Sequence, residues 1–97
     1  MTRLRPRTDA NQTEVVAALR KSGASVCSLA GQADGVPDLL VGWRGKTILI
    51  EVKDSSKPPS ARKLTPAQVR WHAEWTGQPV HVVNSVEDAL DVLRKFK

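Results

Sequence analysis

The centre of the chain, residues 38–53, holds two strand-like runs joined by a short turn, and its sequence is DLLVGWRGKTILIEVK. Val, Ile, Leu and Trp dominate both runs, and these residue types favour β-strands. Arg44 and Gly45 lie between the runs, where a two-residue turn would join them. This stretch therefore predicts a β-hairpin.

The register of that hairpin brings two acidic residues together. A turn centred on Arg44 and Gly45 pairs Asp38 with Glu51, with their Cβ atoms about 4.5–5.5 Å apart. Because side chains alternate along a strand, Lys53 lies on the same face as both carboxylates. The opposite face carries the apolar residues Leu39, Val41, Ile48, Ile50 and Val52.

Two facing carboxylates repel each other and destabilise a sheet, so a structural role explains Asp38 and Glu51 poorly. A divalent cation such as Mg²⁺ would compensate them, since it binds one or two carboxylates together with phosphate oxygens. Lys53 could then orient a water molecule or stabilise the charge that develops on a phosphodiester. Glu-x-Lys alone is equally typical of a surface ion pair, and the register is what favours a metal site.

The flanking sequence predicts the element order α-β-β-β-α-β-α. Around the hairpin we predict a first helix over residues 11–22, strands over residues 25–29 and 80–83, a second helix over residues 65–77 and a last helix after Ser85. Residues 31–37 are a predicted turn and residues 55–63 a predicted exposed loop. The resulting fold class is α/β, a mixed sheet flanked by helices with its last strand added in parallel.

Two helix starts carry polar residues that have two possible roles. Asn11 is the predicted N-cap of the first helix, with Glu14 in the capping-box position, and Thr65 and Gln68 have the same relation in the second helix. Gln68 also shares a helix face with the tryptophans, which would direct it towards a site. His72 on that face is either a packing residue or an assisting base.

Composition restricts the class of protein. The 97 residues predict one domain over residues 11–97 behind a basic arm at residues 1–10, and the net charge of +5 favours an anionic partner such as nucleic acid. No apolar run approaches the ~18 residues of a membrane span, and the basic start of the chain leads us to expect no secretory signal. Cys27 cannot form an internal disulfide and is predicted as a small buried residue. We expect a cytoplasmic location, in a bacterium or a phage-infected host.

Three segments resemble the virus-type replication-repair nuclease (VRR-NUC) branch of the PD-(D/E)XK nuclease superfamily. They are Gly35-Val36-Pro37-Asp38, Glu51-Val52-Lys53 and Leu64-Thr65-Pro66-Ala67-Gln68. The resemblance spans roughly residues 14–83. It implies a restriction-endonuclease-like αβββαβ core followed by a C-terminal helix. It also implies a Mg²⁺- or Mn²⁺-dependent DNA endonuclease that leaves a 5′-phosphate and a 3′-hydroxyl.

The resemblance also assigns roles to residues. It implies Asp38 and Glu51 as metal ligands, the Val52 carbonyl as a third ligand, Lys53 as the catalytic lysine, Gln68 as the helix residue that reaches the site, and Glu14 as an acid that completes the metal shell. Beyond that site, the basic residues Arg44, Lys46, Lys57, Arg62 and Lys63 are predicted phosphate contacts.

Family members often act on branched DNA such as four-way (Holliday) junctions. A chain this small favours a homodimer that supplies two sites, and we expect no membrane partner and no small-molecule cofactor. Two alternatives remain at this point. One is a non-catalytic DNA-binding or regulatory module that keeps the fold, and the other is a nuclease directed at RNA.

Overall fold

A computed structural model describes residues 10–54 and 57–96. Its elements in chain order are α1 (Ala10–Lys21), β1 (Ser25–Ser28), β2 (Leu39–Trp43), β3 (Lys46–Val52), α2 (Pro59–Arg62), α3 (Pro66–Glu74), β4 (His81–Val83) and α4 (Val86–Lys95). The predicted α/β class and element order are confirmed, with one addition. The short α2 lies inside the segment predicted as a loop, where Pro59 at its first position favours a helical turn. The basic arm falls outside the described residues except at its last position, Ala10.

The central hairpin forms with the predicted turn and register. Strands β2 and β3 are antiparallel, and Leu39 pairs with Ile50. Arg44 and Gly45 have φ angles of 51° and 80°, as the two central residues of a type I′ turn require. One step beyond the ladder, the same register sets Asp38 opposite Glu51.

The sheet has the order β1-β2-β3-β4, and β4 runs parallel to β3 as predicted. Its two faces differ. One face packs against α1 and α4 and forms the core, whose fully buried members include Val15, Leu19, Leu39, Val41, Ile50 and Ala89. The other face carries Glu51 and meets α3 through Gln68. None of the helices within the described residues is long and apolar enough to cross a bilayer.

The predicted cap of the first helix is wrong. The helix already includes Ala10, so Asn11 lies inside it. Its side-chain NH₂ group donates hydrogen bonds to the carbonyls of Lys53 and Asn84, at 2.7 and 3.2 Å. Because Asn11 already lies within the helix, it cannot form the expected capping box with Glu14.

Two further expectations need correction. Helix α3 ends at Glu74 instead of Gly77, because Trp75 adopts extended dihedrals (φ −72°, ψ 121°). The Trp75 indole stacks on that of Trp71, with ring centroids 4.9 Å apart. Cys27 is exposed, not buried. It belongs to the edge strand β1 and points to the side of the sheet away from α1 and α4.

Gly35 sets how closely α3 approaches the segment before β2. Its φ is +86°, a conformation that side chains disfavour, and a Cβ atom there would lie 2.5 Å from the Ala67 carbonyl oxygen. The same atom would lie 3.2 Å from the Cβ of Trp71. The start of α3 therefore rests directly on this glycine.

We expect Gly35→Ala to lower the free energy of unfolding by about 2–3 kcal/mol. The positive φ would strain the alanine backbone, and its Cβ would also clash with the Ala67 carbonyl oxygen. Chemical denaturation measures this loss. Gly45→Ala is the matched control, since Gly45 also has a positive φ but a Cβ atom at that position would meet nothing within 4 Å. That variant should lose only about 1 kcal/mol. Equal losses in both variants would show that α3 does not depend on the contact.

Candidate active site

Four of the predicted site residues meet at the end of the hairpin farthest from its turn. They are Asp38, Glu51, Lys53 and Gln68, connected by the hydrogen bonds and close contacts described below. Strand alternation places the first three on one face, and α3 brings Gln68 to them. The site lies across the sheet from the apolar core.

Asp38 is held by the backbone of the neighbouring strand. Its Oδ2 accepts a hydrogen bond of 2.7 Å from the N–H of Val52. In a strand the N–H and C=O of one residue point to the same side. The Val52 carbonyl therefore points to the same side of β3 as Asp38. The family resemblance implies that this carbonyl is a third metal ligand.

Glu51 is the one charged residue among those the structure describes that is fully buried, with 2% of its surface exposed. Its Oε2 accepts a hydrogen bond of 3.0 Å from the Gln68 amide and lies 3.9 Å from the Lys53 Nζ. Its Oε1 is buried and has no hydrogen-bond partner within the protein. A buried carboxylate oxygen in this state is costly and indicates a missing positive partner.

The surroundings raise the pKa of Glu51 from 4.5 to about 8. Burial is the largest cause, the charge of Asp38 adds to the effect, and Lys53 opposes it. The folded protein keeps a proton that the unfolded chain releases. The free energy of unfolding therefore falls as pH rises from about 4.5 towards 8. A cation bound at neutral pH would displace this proton.

Gln68 fulfils both roles that its position allows. Its Oε1 accepts hydrogen bonds of 2.9 Å from the Thr65 N–H and from the Lys53 Nζ, and the Thr65 hydroxyl accepts from the Gln68 N–H at 3.1 Å. The capping box is therefore complete. Both partners of Oε1 are donors, so the NH₂ group must face Glu51.

The backbone of Lys53 is fixed from two sides. Its N–H donates to the Val83 carbonyl at 2.8 Å, and its carbonyl accepts from the Asn11 amide at 2.7 Å. Asn11 is a site-positioning residue that sequence reasoning missed. A polar residue in the first turn of a helix predicts a cap, and only the packing of α1 on the strand ends reveals this contact.

His72 also reaches the site, one helical turn after Gln68. Its Nε2 lies 4.0 Å from the Glu51 Oε1, and this buried nitrogen has no hydrogen-bond partner within the protein. Burial and, to a smaller extent, the charge of Lys53 lower the pKa of His72 below its usual value of 6.5. Both effects favour the neutral form of the imidazole.

The other predicted site residues are not part of this network. Glu14 is exposed on α1, and the described residues contain no group of three His, Cys, Asp or Glu side chains placed to hold a metal ion. Arg44 stacks on Trp43 at 4.9 Å at the hairpin turn. Six residues at 3.3 Å each place that turn about 20 Å from the carboxylates.

The remaining predicted phosphate contacts divide into three cases. Lys46 is exposed beside the turn, far from the carboxylates. Lys57 and Lys63 are exposed in the segment between β3 and α3, which follows Lys53. The side chain of Arg62 lies outside what the structure describes.

The chemistry of these donors fits a hard divalent cation. Two carboxylates and a strand carbonyl are oxygen donors of the kind that Mg²⁺ binds while keeping several waters. The unpartnered Oε1 of Glu51 is the observation that supports this fit. Lys53 lies beside these donors and is tied to Gln68, in a position to act on a reacting group.

Comparison with known proteins agrees with this geometry. No family model matches the sequence, and no curated protein matches it either. A solved structure described as a VRR-NUC domain aligns over 92% of this chain and 100% of its own, with 26% identity and a TM-score of 0.67. The shared fold, the hairpin register and the motif residues together support the similarity of this chain to a VRR-NUC domain.

Proposed function

We propose that this domain is a Mg²⁺- or Mn²⁺-dependent endonuclease that hydrolyses phosphodiester bonds in DNA. The observation that carries the proposal is the buried carboxylate of Glu51, placed opposite Asp38 with one oxygen unpartnered and Lys53 beside it. The name of the structural relative denotes a nuclease domain, which supports the same chemistry.

In this proposal Asp38, Glu51 and the Val52 carbonyl hold the cation. When bound, a divalent cation makes water more acidic and neutralises charge on a phosphate. The protein positions both carboxylates before a cation binds. The Val52 N–H donates a hydrogen bond to Asp38, and the Gln68 amide donates one to Glu51.

Lys53 has the catalytic role. Its ammonium lies 3.9 Å from the Glu51 carboxylate and 2.9 Å from the Gln68 carbonyl oxygen, so it is held in place before substrate arrives. It would orient the attacking water and stabilise negative charge that builds up on the phosphate oxygens. Gln68 and Asn11 act through Lys53 as positioning residues.

The substrate class is DNA, and we propose branched forms such as four-way junctions. The net charge of +5 supports binding to a phosphate backbone. Lys57 and Lys63 follow the site along the chain and would contact phosphates near the cleaved bond. Arg44 and Lys46 would contact phosphates about 20 Å away, which requires an extended substrate.

Removing the catalytic groups should abolish cleavage while the fold persists. We expect Lys53→Ala and Asp38→Asn each to lower the cleavage rate by at least ~10²-fold with Mg²⁺ or Mn²⁺, and EDTA to stop the wild type. The assay compares a four-way junction, a flap, linear duplex and RNA. Lys21→Ala is the control, because Lys21 is an exposed residue of α1, on the other side of the sheet.

Equal cutting by the wild type and both site variants would refute the assignment. Binding of DNA without cleavage in any metal would instead favour the non-catalytic module. Cleavage of RNA alone would favour the RNA-directed alternative.

We also propose that the domain acts as a homodimer. Leu40 and Trp75 are 36% and 45% exposed, and both line an apolar cavity of about 470 Å³ on the site face of the sheet. Exposed apolar surface of this kind is typical of an interface. A second copy covering it would bring a second set of carboxylates to the same substrate.

The dimer is tested by adding charge to this surface. We expect Trp75→Glu to raise the dimer dissociation constant at least ~10-fold, because it buries an unpaired carboxylate. Sedimentation of the variant and the wild type measures the constant. Val69→Glu adds the same charge to an exposed position of α3 outside the cavity lining and should leave association unchanged. A wild type that stays monomeric while cleaving DNA would refute the dimer.

A further inference from the structure

We propose that a cavity at the hairpin turn binds an unpaired nucleotide of the DNA substrate, with the phosphate on Arg44 and the base against an apolar wall. The proposal rests on the proposed function for DNA as the substrate. It adds a second contact site about 20 Å from the carboxylates, at the other end of the hairpin.

The cavity lies where α1 and α4 end, beside the turn between β2 and β3. Its volume is about 510 Å³, within the range of about 300–1,000 Å³ that is typical of small-molecule sites. Two of its lining residues, Arg44 and Arg94, are charged. Its apolar wall is formed by Trp43, Leu90, Leu93 and Phe96. A ligand that fits this lining combines an apolar body with a negative charge.

The two arginines of the cavity differ in their partners. Arg94 contacts the Asp91 carboxylate, and its Nη1 lies 3.9 Å from the Glu87 carboxylate, so its own helix already compensates its charge. No ion pair among the residues that the structure describes involves Arg44. The negative charge of a ligand is therefore expected at Arg44.

The side chain of Arg44 is held in place before a ligand binds. Its guanidinium carbon lies 4.9 Å from the centroid of the Trp43 ring. The indole N–H of Trp43 in turn donates hydrogen bonds of 3.1 Å to the carbonyls of Leu93 and Phe96, at the end of α4. The guanidinium therefore rests on a ring that is anchored to this helix.

The backbone of Arg44 also points to a function of this residue. Its φ of 51° makes it the one non-glycine residue in the left-handed region within the part of the chain that the structure describes. Asparagine and glycine are favoured at this position of a type I′ turn, because other side chains disfavour the left-handed region. Backbone strain of this kind is concentrated at functional sites. An arginine here indicates that its side chain supplies something that asparagine would not.

A nucleotide matches both parts of the lining. Its phosphodiester carries one negative charge, and a guanidinium presents paired N–H donors to phosphate oxygens. Its base is a flat ring, and unpaired bases pack against aromatic side chains and arginine planes. A base inside a duplex has neighbours on both faces and must leave the stack to enter a pocket. The cavity therefore selects an unpaired nucleotide.

The position of the cavity favours a strand that leaves the duplex. Trp43 lies on the same face of the sheet as Leu39 and Val41, whereas the site carboxylates lie on the other face. The sheet therefore separates the two sites. A straight duplex along one face would not contact both, and an unpaired strand at a branch can pass round the turn to the cavity. We therefore infer a preference for branched over linear DNA.

The test measures DNA binding by the full chain in EDTA, so that no cleavage takes place. Fluorescence anisotropy at one fixed salt concentration compares a linear duplex with a flap whose unpaired strand has about ten nucleotides. We expect the wild type to bind the flap at least ~10-fold more tightly than the duplex. Arg44→Gln should remove most of this preference by raising the flap dissociation constant at least ~10-fold.

Lys46→Gln is the charge-matched control. Lys46 is exposed beside the same turn and does not line the cavity. This variant should weaken the binding of both DNAs by a similar factor and keep the preference for the flap. Photocrosslinking of 5-iododeoxyuridine in the unpaired strand locates the base directly, and we expect products at Trp43 or Phe96.

Four outcomes would overturn the inference. Crosslinks at Trp71 or Trp75 would place the base in a different cavity and leave the proposed nuclease intact. A loss in Arg44→Gln that is equal for both DNAs, as in Lys46→Gln, would make Arg44 an ordinary phosphate contact. Unchanged binding of both DNAs by Arg44→Gln would exclude DNA from the cavity and favour an acidic, apolar peptide as its ligand. Binding of neither DNA by the wild type would overturn this inference and the proposed DNA substrate together.

Discussion

The buried carboxylate of Glu51 is the constraint on which the rest of the site depends. The apolar face of the hairpin must pack against α1 and α4, and strand alternation then directs Glu51 to the other side. There α3 covers it, and Asp38 lies opposite. Burial and a neighbouring like charge both disfavour an ionised carboxylate, so the site binds a proton or a cation in its place.

The same carboxylate explains how α3 is attached. Within α3, which the structure describes throughout, no residue is fully buried, so packing contributes little to holding the helix. Hydrogen bonds of Gln68 with Glu51 and Lys53 hold α3 in place, together with its close approach to Gly35. The helix that supplies site residues is thus positioned by the site itself.

The sequence was sufficient to predict the hairpin and its consequences. Turn chemistry at Arg44 and Gly45 and strict alternation fix the register, and the register alone places Asp38 opposite Glu51. The start of α3 was equally predictable, because Thr65, Pro66 and Gln68 act within one helical turn. These features depend on neighbours in the chain, and local rules describe such neighbours well.

The features that escaped prediction depend on distant contacts. Asn11 is a residue type that often caps helices. Its hydrogen bond to the Lys53 carbonyl forms only because α1 packs against the strand ends. His72 follows a tryptophan, which suggests packing, and only the placement of α3 shows that it faces Glu51. Helix α3 ends before Gly77 because the backbone of Trp75 is already extended, and helix propensity carries no signal of that change.

In the proposed site, Glu51 is a buried carboxylate whose missing partner is a cation. Carbon-13 NMR titration of its carboxyl group, in EDTA and then with saturating Mg²⁺, tests this most directly. We expect a Glu51 pKa near 8 in EDTA and a pKa below neutrality once Mg²⁺ is present, because the cation displaces the proton. An ordinary glutamate pKa in EDTA, or a raised value that Mg²⁺ leaves unchanged, would contradict it.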